Sequence, residues 1–194
     1  VARLTDGGFV VVWADEANSS VMARIFEANG TPRTDEFTVS IGTVGTVPRI
    51  NSVTALDTGG FVVSWDERDI DVSPNRVAVE GRLVSATGVV APAELALSPV
   101  GPLDRSFSSI VALTEGRFMA LWIDFDDDDQ YLVAQVFDAA GAASGAEFIV
   151  PTHGLGTFEQ MDATLLADGR VAVTWSDSTA GTADETGSSI RLQI

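Results

Sequence analysis

One ten-residue phrase occurs four times in this chain, and it restricts the possible folds more than any other feature. The copies are Leu4-Thr-Asp-Gly-Gly-Phe-Val-Val-Val-Trp13, Leu56-Asp-Thr-Gly-Gly-Phe-Val-Val-Ser-Trp65, Leu113-Thr-Glu-Gly-Arg-Phe-Met-Ala-Leu-Trp122 and Leu166-Ala-Asp-Gly-Arg-Val-Ala-Val-Thr-Trp175. All four tryptophans of the protein end a copy, at spacings of 52, 57 and 53 residues. A second phrase follows each Trp: Ala23-Arg-Ile-Phe-Glu-Ala-Asn-Gly30, Gly81-Arg-Leu-Val-Ser-Ala-Thr-Gly88 and Ala134-Gln-Val-Phe-Asp-Ala-Ala-Gly141, with Leu192-Gln-Ile194 beginning a fourth. Seven residues beyond each of these glycines stands an apolar residue preceded by Glu, in Glu36-Phe37, Glu94-Leu95 and Glu147-Phe148. Self-similarity with a period of about 50 residues is the mark of a repeat architecture, in which each unit is one supersecondary structure.

The pieces read as strands. Phe61-Val-Val-Ser-Trp65 and Val77 to Val84 are short, rich in β-branched and aromatic residues, and bounded by Gly, Asp or Asn. Each repeat holds four strands: a ends at the Leu of the first phrase, b ends at Trp, c is the second phrase, and d surrounds Phe37, Leu95 or Phe148. Asp-Gly-Gly or Asp-Gly-Arg closes the a–b hairpin, and Gly30, Gly88 or Gly141 supplies the positive φ that the c–d turn requires. Strands such as Phe9-Val-Val-Val-Trp13 are apolar on both faces and must be covered from both sides. An all-β, β-propeller-like array of four-stranded antiparallel repeats provides that cover; a stacked β-sheet solenoid is the alternative. The chain is expected to form one repeat domain, 1–194, holding about 3.6 repeats at approximately 1–46, 47–103, 104–156 and 157–194. A missing strand d would leave an unpaired edge, so the chain reads as a segment of a larger propeller or array.

The phrases Leu-x-Asp-Gly-Gly-Phe-Val-Val-x-Trp, Ala-Arg-Ile-Phe-x-Ala-x-Gly and Glu-Phe-x-Val resemble the tandem repeats of very large secreted bacterial proteins of the RTX or haemolysin-type calcium-binding class, adhesins among them. The resemblance extends over essentially the whole chain. It implies a secreted or cell-surface repeat module whose partners include other repeats of the same or a neighbouring chain. The Gly-Gly-x-Gly-x-Asp nonapeptides of those proteins do not occur here, so the calcium reading rests on loop acids alone.

Those acids follow the Trp phrases. Antiparallel order gathers the b–c connections, which carry most of the length variation, on one face with the d–a connections. Asp15, Glu16, Asp66, Glu67, Asp69, Asp71, Asp124, Asp126, Asp127, Asp128, Asp129, Asp177, Asp184 and Glu185 all fall there. Asp69 and Asp71, and the run Asp126, Asp127, Asp128 and Asp129, are the candidate calcium ligands, because a hard cation takes six to eight oxygens. With 28 Asp+Glu against 11 basic residues the net charge is −17, which disfavours nucleic acid. No apolar run is long enough to cross a membrane as a helix. There is no cysteine, hence no disulfide or thiolate chemistry, and His153 is the single histidine, on a d–a connection.

The tryptophans recur at one position and are expected in the core rather than stacked on sugars. Arg24 and Arg82, matched by Gln135 and Gln193, lie on strand c within reach of Glu36, Glu94 and Glu147 on strand d. No catalytic set and no certain cofactor emerges. The resulting expectation is a non-catalytic scaffold or adhesion module, binding protein or glycan at its b–c loop face and possessing, at most, calcium. The alternative is a propeller-type glycosidase or lyase that uses loop carboxylates.

Overall fold

A computed structural model describes residues 1–40, 48–69, 76–99, 104–126, 129–150, 158–177 and 189–194. Among them, four antiparallel sheets follow one another along the chain. The first contains β1 (Ala2–Arg3), β2 (Phe9–Asp15), β3 (Ser20–Phe26) and β4 (Phe37–Thr38); the second β5 (Arg49–Ala55), β6 (Phe61–Asp69), β7 (Arg76–Val84) and β8 (Leu95–Ala96). The third contains β9 (Asp104–Ala112), β10 (Phe118–Asp126), β11 (Asp129–Phe137) and β12 (Phe148–Ile149); the fourth β13 (Phe158–Leu165), β14 (Val171–Asp177) and β15 (Ser189–Gln193). Each sheet is an up-and-down meander with strands in sequence order.

Glycine sets both recurrent turns. Gly7, Gly59, Gly116 and Gly169 occupy the left-handed position of the a–b turn, at φ between 72° and 93°. Gly30, Gly88 and Gly141 do the same in the c–d turn at φ 84–86°, where each amide donates back to the carbonyl of Glu27, Ser85 or Asp138. A side chain at such φ costs roughly 1–2 kcal/mol, which explains why the repeat keeps glycine there while its neighbours vary.

The first strands of successive sheets lie side by side, and the sheets radiate from them as blades, stacked face to face. Period-two alternation sends one face of each middle strand to the preceding blade and the other to the following one. Phe61, Val63 and Trp65 pack with Val10, Val21 and Ile25 of the first blade, whereas Val62 and Val79 pack with Phe118 and Trp122 of the third. Trp175 closes the next interface against Leu121 and Ile123. The expected core role of the tryptophans therefore holds: Trp65 is 1 % exposed and Trp122 is 0 %. Trp13, on the outward face of the first blade, is half-buried.

The arginine–glutamate pairs form as expected. Arg24 lies 3.6 Å from Glu36, and the buried Arg82 lies 3.3 Å from Glu94. Arg82 also joins two blades, donating from Nη1 to the Val39 carbonyl at 2.8 Å and from Nε to that of Ala91 at 2.9 Å. Gln135 turns instead to the carbonyls of Val136 and Gly145.

Beside Arg82 on β7, Glu80 is paired across the sheet with Trp65. Burial, and then the neighbouring charges of Glu67 and Glu94, push its carboxyl up to about 7. The folded chain therefore holds a proton that the unfolded chain releases near pH 4.5, and stability falls as pH rises from there through about 7. Glu80→Gln is expected to flatten that decline and to raise the melting temperature at about pH 8 relative to the parent. Parallel melting curves for the two proteins across this range would refute the assignment.

Candidate functional site

Each of the three long inner strands is irregular near its start. On β5, Ile50 faces Trp65 and Ser52 faces Ser64, so Asn51 is an extra residue. On β9, Ser106 faces Ile123 and Ser109 faces Leu121, leaving Phe107 and Ser108 opposite Trp122 alone. On β13 the step falls between Phe158, opposite Asp177, and Met161, opposite Trp175. These are β-bulges, which bend a strand and re-aim its side chains. Phe107 stands at φ 59°, a left-handed conformation rare for an aromatic residue. The bulged segments converge on a cleft of about 560 Å³, with Arg49, Asn51, Phe107, Ser108, Gln160 and Asp162 in its walls and Trp175 and Ser176 behind them.

A buried polar network holds this end of the blades. Asp66, 4 % exposed, accepts from Asn51 Nδ2 at 2.5 Å and from the Phe107 amide at 3.3 Å. Asn51 Nδ2 also reaches Ser108 Oγ at 3.2 Å, and that hydroxyl donates to Ser64 Oγ at 2.9 Å, so the second and third blades share one chain of hydrogen bonds. The guanidinium of Arg49 lies 4.6 Å from the centre of the Phe107 ring. In the third blade Asp124 accepts from Arg105 Nε at 2.7 Å and from the Trp122 indole at 2.8 Å, while Arg105 Nη1 donates to the Pro99 carbonyl. A buried carboxylate surrounded by donors in this way is a rigid structural group.

The expectation that the acids after each Trp sit on loops is corrected. Strands b and c continue past the tryptophans, so Asp15, Asp66, Glu67, Asp69, Asp124, Asp126, Asp129 and Asp177 belong to strands. Asp66 and Asp124 are interior because amide, guanidinium and indole N–H groups satisfy them. Of the candidate calcium ligands, Asp71, Asp127 and Asp128 lie outside the described residues, as do the side chains of Asp69, Asp126 and Asp129. Among the described residues no group of three or more acids or histidines is placed to hold a metal ion. His153, Asp184 and Glu185 also lie outside the described residues. The bulges and the cleft were missed by sequence reasoning. The only trace of them in the sequence is the polar intrusion Asn51-Ser52 or Ser108-Ser109 in an otherwise apolar inner strand.

No family model matches the chain, and no curated protein matches it in sequence. Solved structures do. The chain superposes over 96 % of its length on an endo-arabinase from Bacteroides thetaiotaomicron VPI-5482, with TM-score 0.58 and 12 % identity, covering 70 % of that chain. An alpha-L-arabinanase from Penicillium chrysogenum, complexed with arabinobiose, matches over 96 % with TM-score 0.55 and 12 % identity. A sucrose-6-phosphate hydrolase from Lactobacillus gasseri matches over 99 % with TM-score 0.52 and 7 % identity. The chain spans 56 % and 44 % of the lengths of the latter two. The architecture is thus that of a β-propeller, the fold of the arabinanases, and the stacked solenoid is set aside. The expectation of a non-catalytic scaffold or adhesion module is corrected by the same finding: the solved structures that share this fold are an endo-arabinase, an alpha-L-arabinanase and a sucrose-6-phosphate hydrolase. Repeat phrases specify how blades pack, and a scaffold and an enzyme share that requirement.

Proposed function

We propose that this chain is part of a carbohydrate-processing propeller enzyme, a glycosidase or lyase, whose glycan substrate lies in the cleft at the bulged starts of the inner strands. The observation that carries this reading is the convergence of bulges from three successive blades on a single cleft. The polar side chains that line the cleft suit a sugar, whose hydroxyls need donors and acceptors. The fold shared with the arabinanases supports the same reading. The protein or glycan ligand expected at the b–c face becomes, on this proposal, a glycan. A polymeric substrate of this kind also fits a secreted or surface location.

Glycoside hydrolysis uses two carboxyl groups, one as acid and one as base or nucleophile. Asp162 is the one carboxylate among the described lining residues, and it is exposed to the cleft. It supplies one member of the pair, and the second comes from outside the described lining. Asp162→Asn is expected to lower the release of reducing sugar from arabinan, or from whichever polysaccharide of a panel is cleaved, by about 10²-fold or more while oligosaccharide binding persists. Failure of the parent protein to bind or cleave any member of the panel would remove the proposal.

A further inference from the structure

We propose that Arg49 makes this cleft selective for a sugar that carries a carboxylate, a uronate residue of the glycan. The inference rests on the glycan reading above and adds the chemical class of the substrate.

The chain is acidic throughout, with a net charge of −17, so an anionic ligand approaches only where a local cation offsets that field. Most arginines with described partners are neutralised. Arg24, Arg33, Arg82, Arg105 and Arg170 each lie within 4.0 Å of a carboxylate. Among the described residues none pairs with Arg49 in this way, although it is exposed at the cleft wall. Its partner across the strands is Asp66, but that carboxylate is committed to Asn51 and to the Phe107 amide. The protein thus places a cation beside an acid and then engages the acid elsewhere.

Arg49 is also held in place. Its guanidinium is 4.6 Å from the Phe107 ring centre, and that ring is presented by a bulge at φ 59°. A non-glycine residue held in this region has a conformational cost that recurs at ligand sites. A guanidinium held over a ring still has N–H donors to offer, and a carboxylate accepts two parallel hydrogen bonds from them. Gln160, Thr174 and Ser176 nearby suit the hydroxyls of the same sugar. The charge of the ligand follows from the same inventory. One guanidinium in a cleft that also contains Asp162 accommodates the single charge of a carboxylate better than the near-double charge of a phosphate monoester.

The test compares trigalacturonate with its fully methyl-esterified form, which has the same shape without the charge, by calorimetric titration of the parent, Arg49→Ala and Arg49→Lys. The parent should bind the acid about tenfold or more tightly than the ester. Arg49→Ala should abolish that preference by weakening the acid far more than the ester, Arg49→Lys should keep only part of it, and the preference should shrink as salt is raised. Should Arg49→Ala fail to fold, Arg49→Gln replaces it, because an amide still covers Phe107. Equal binding of acid and ester by the parent, or a preference that survives Arg49→Ala, would overturn the proposal. Preferential binding of glucose 6-phosphate would overturn the carboxylate assignment. Binding of neutral arabino-oligosaccharides without binding of trigalacturonate would sink this inference alone, whereas binding of none of these sugars would sink the glycan reading with it.

Discussion

Trp122→Ala is expected to destabilise the protein by about 3–5 kcal/mol, measured as a shift in the urea midpoint followed by far-ultraviolet circular dichroism. The indole is 0 % exposed between the second and third blades, where Val62, Val79, Leu97 and Val133 share its cluster. Removing it opens a cavity that two stiff sheets cannot close, and it withdraws the indole donor from Asp124. Trp122→Phe separates the two effects, leaving most of the volume while losing the hydrogen bond, at about 1 kcal/mol or somewhat more. Trp13→Ala should cost distinctly less than Trp122→Ala, since Trp13 is only half-buried on the outward face of the first blade. Equal losses at the two positions would contradict the interleaved packing of the blades.

Comparable in size is the expected effect of breaking the Arg105–Asp124 pair. Both side chains are largely buried and lie 2.7 Å apart. Asp124→Leu strands the guanidinium in the interior, and Arg105→Met strands the carboxylate; each is expected to lose about 3–5 kcal/mol. The double variant should regain much of that loss, because an apolar pair of similar volume leaves no charge uncompensated. A double-mutant cycle from chemical denaturation measures the coupling, and strict additivity of the two losses would show that the pair does not act as a unit. The same reasoning separates Asp66 and Asp124 from Asp162: the first two are interior groups with donors on several sides, and the third faces the cleft.

Much of the fold was legible because a repeat states each structural instruction several times. The aromatic-ended strand, the glycine at the left-handed turn position and the Arg–Glu pair on neighbouring strands depend on residues close in sequence or at one repeat position. Strand d was legible in place but not in extent, with only two residues paired in each of β4, β8 and β12. The site was far less visible. Asn51 meets Ser108, 57 positions further along the chain, and Arg49 meets Phe107 only because two inner strands run side by side. Comparison of repeats hides such features, since it emphasises what the blades share while a cleft is built from what differs between them. It also led the acids astray: clustered Asp beyond a Trp reads as a solvated loop until the strand is seen to continue and its donors are identified.

By itself, the sequence determined the all-β repeat, the order of the four strands, the positions that must be glycine and the middle strands that are apolar on both faces, because alternation and turn chemistry act over a few residues. Only the tertiary structure decided which carboxylates are buried, where the inner strands bulge, and that Arg49, Gln160 and Asp162 share one cleft. Those outcomes depend on packing between blades roughly 50 residues apart in the chain, a distance over which no local pattern carries information.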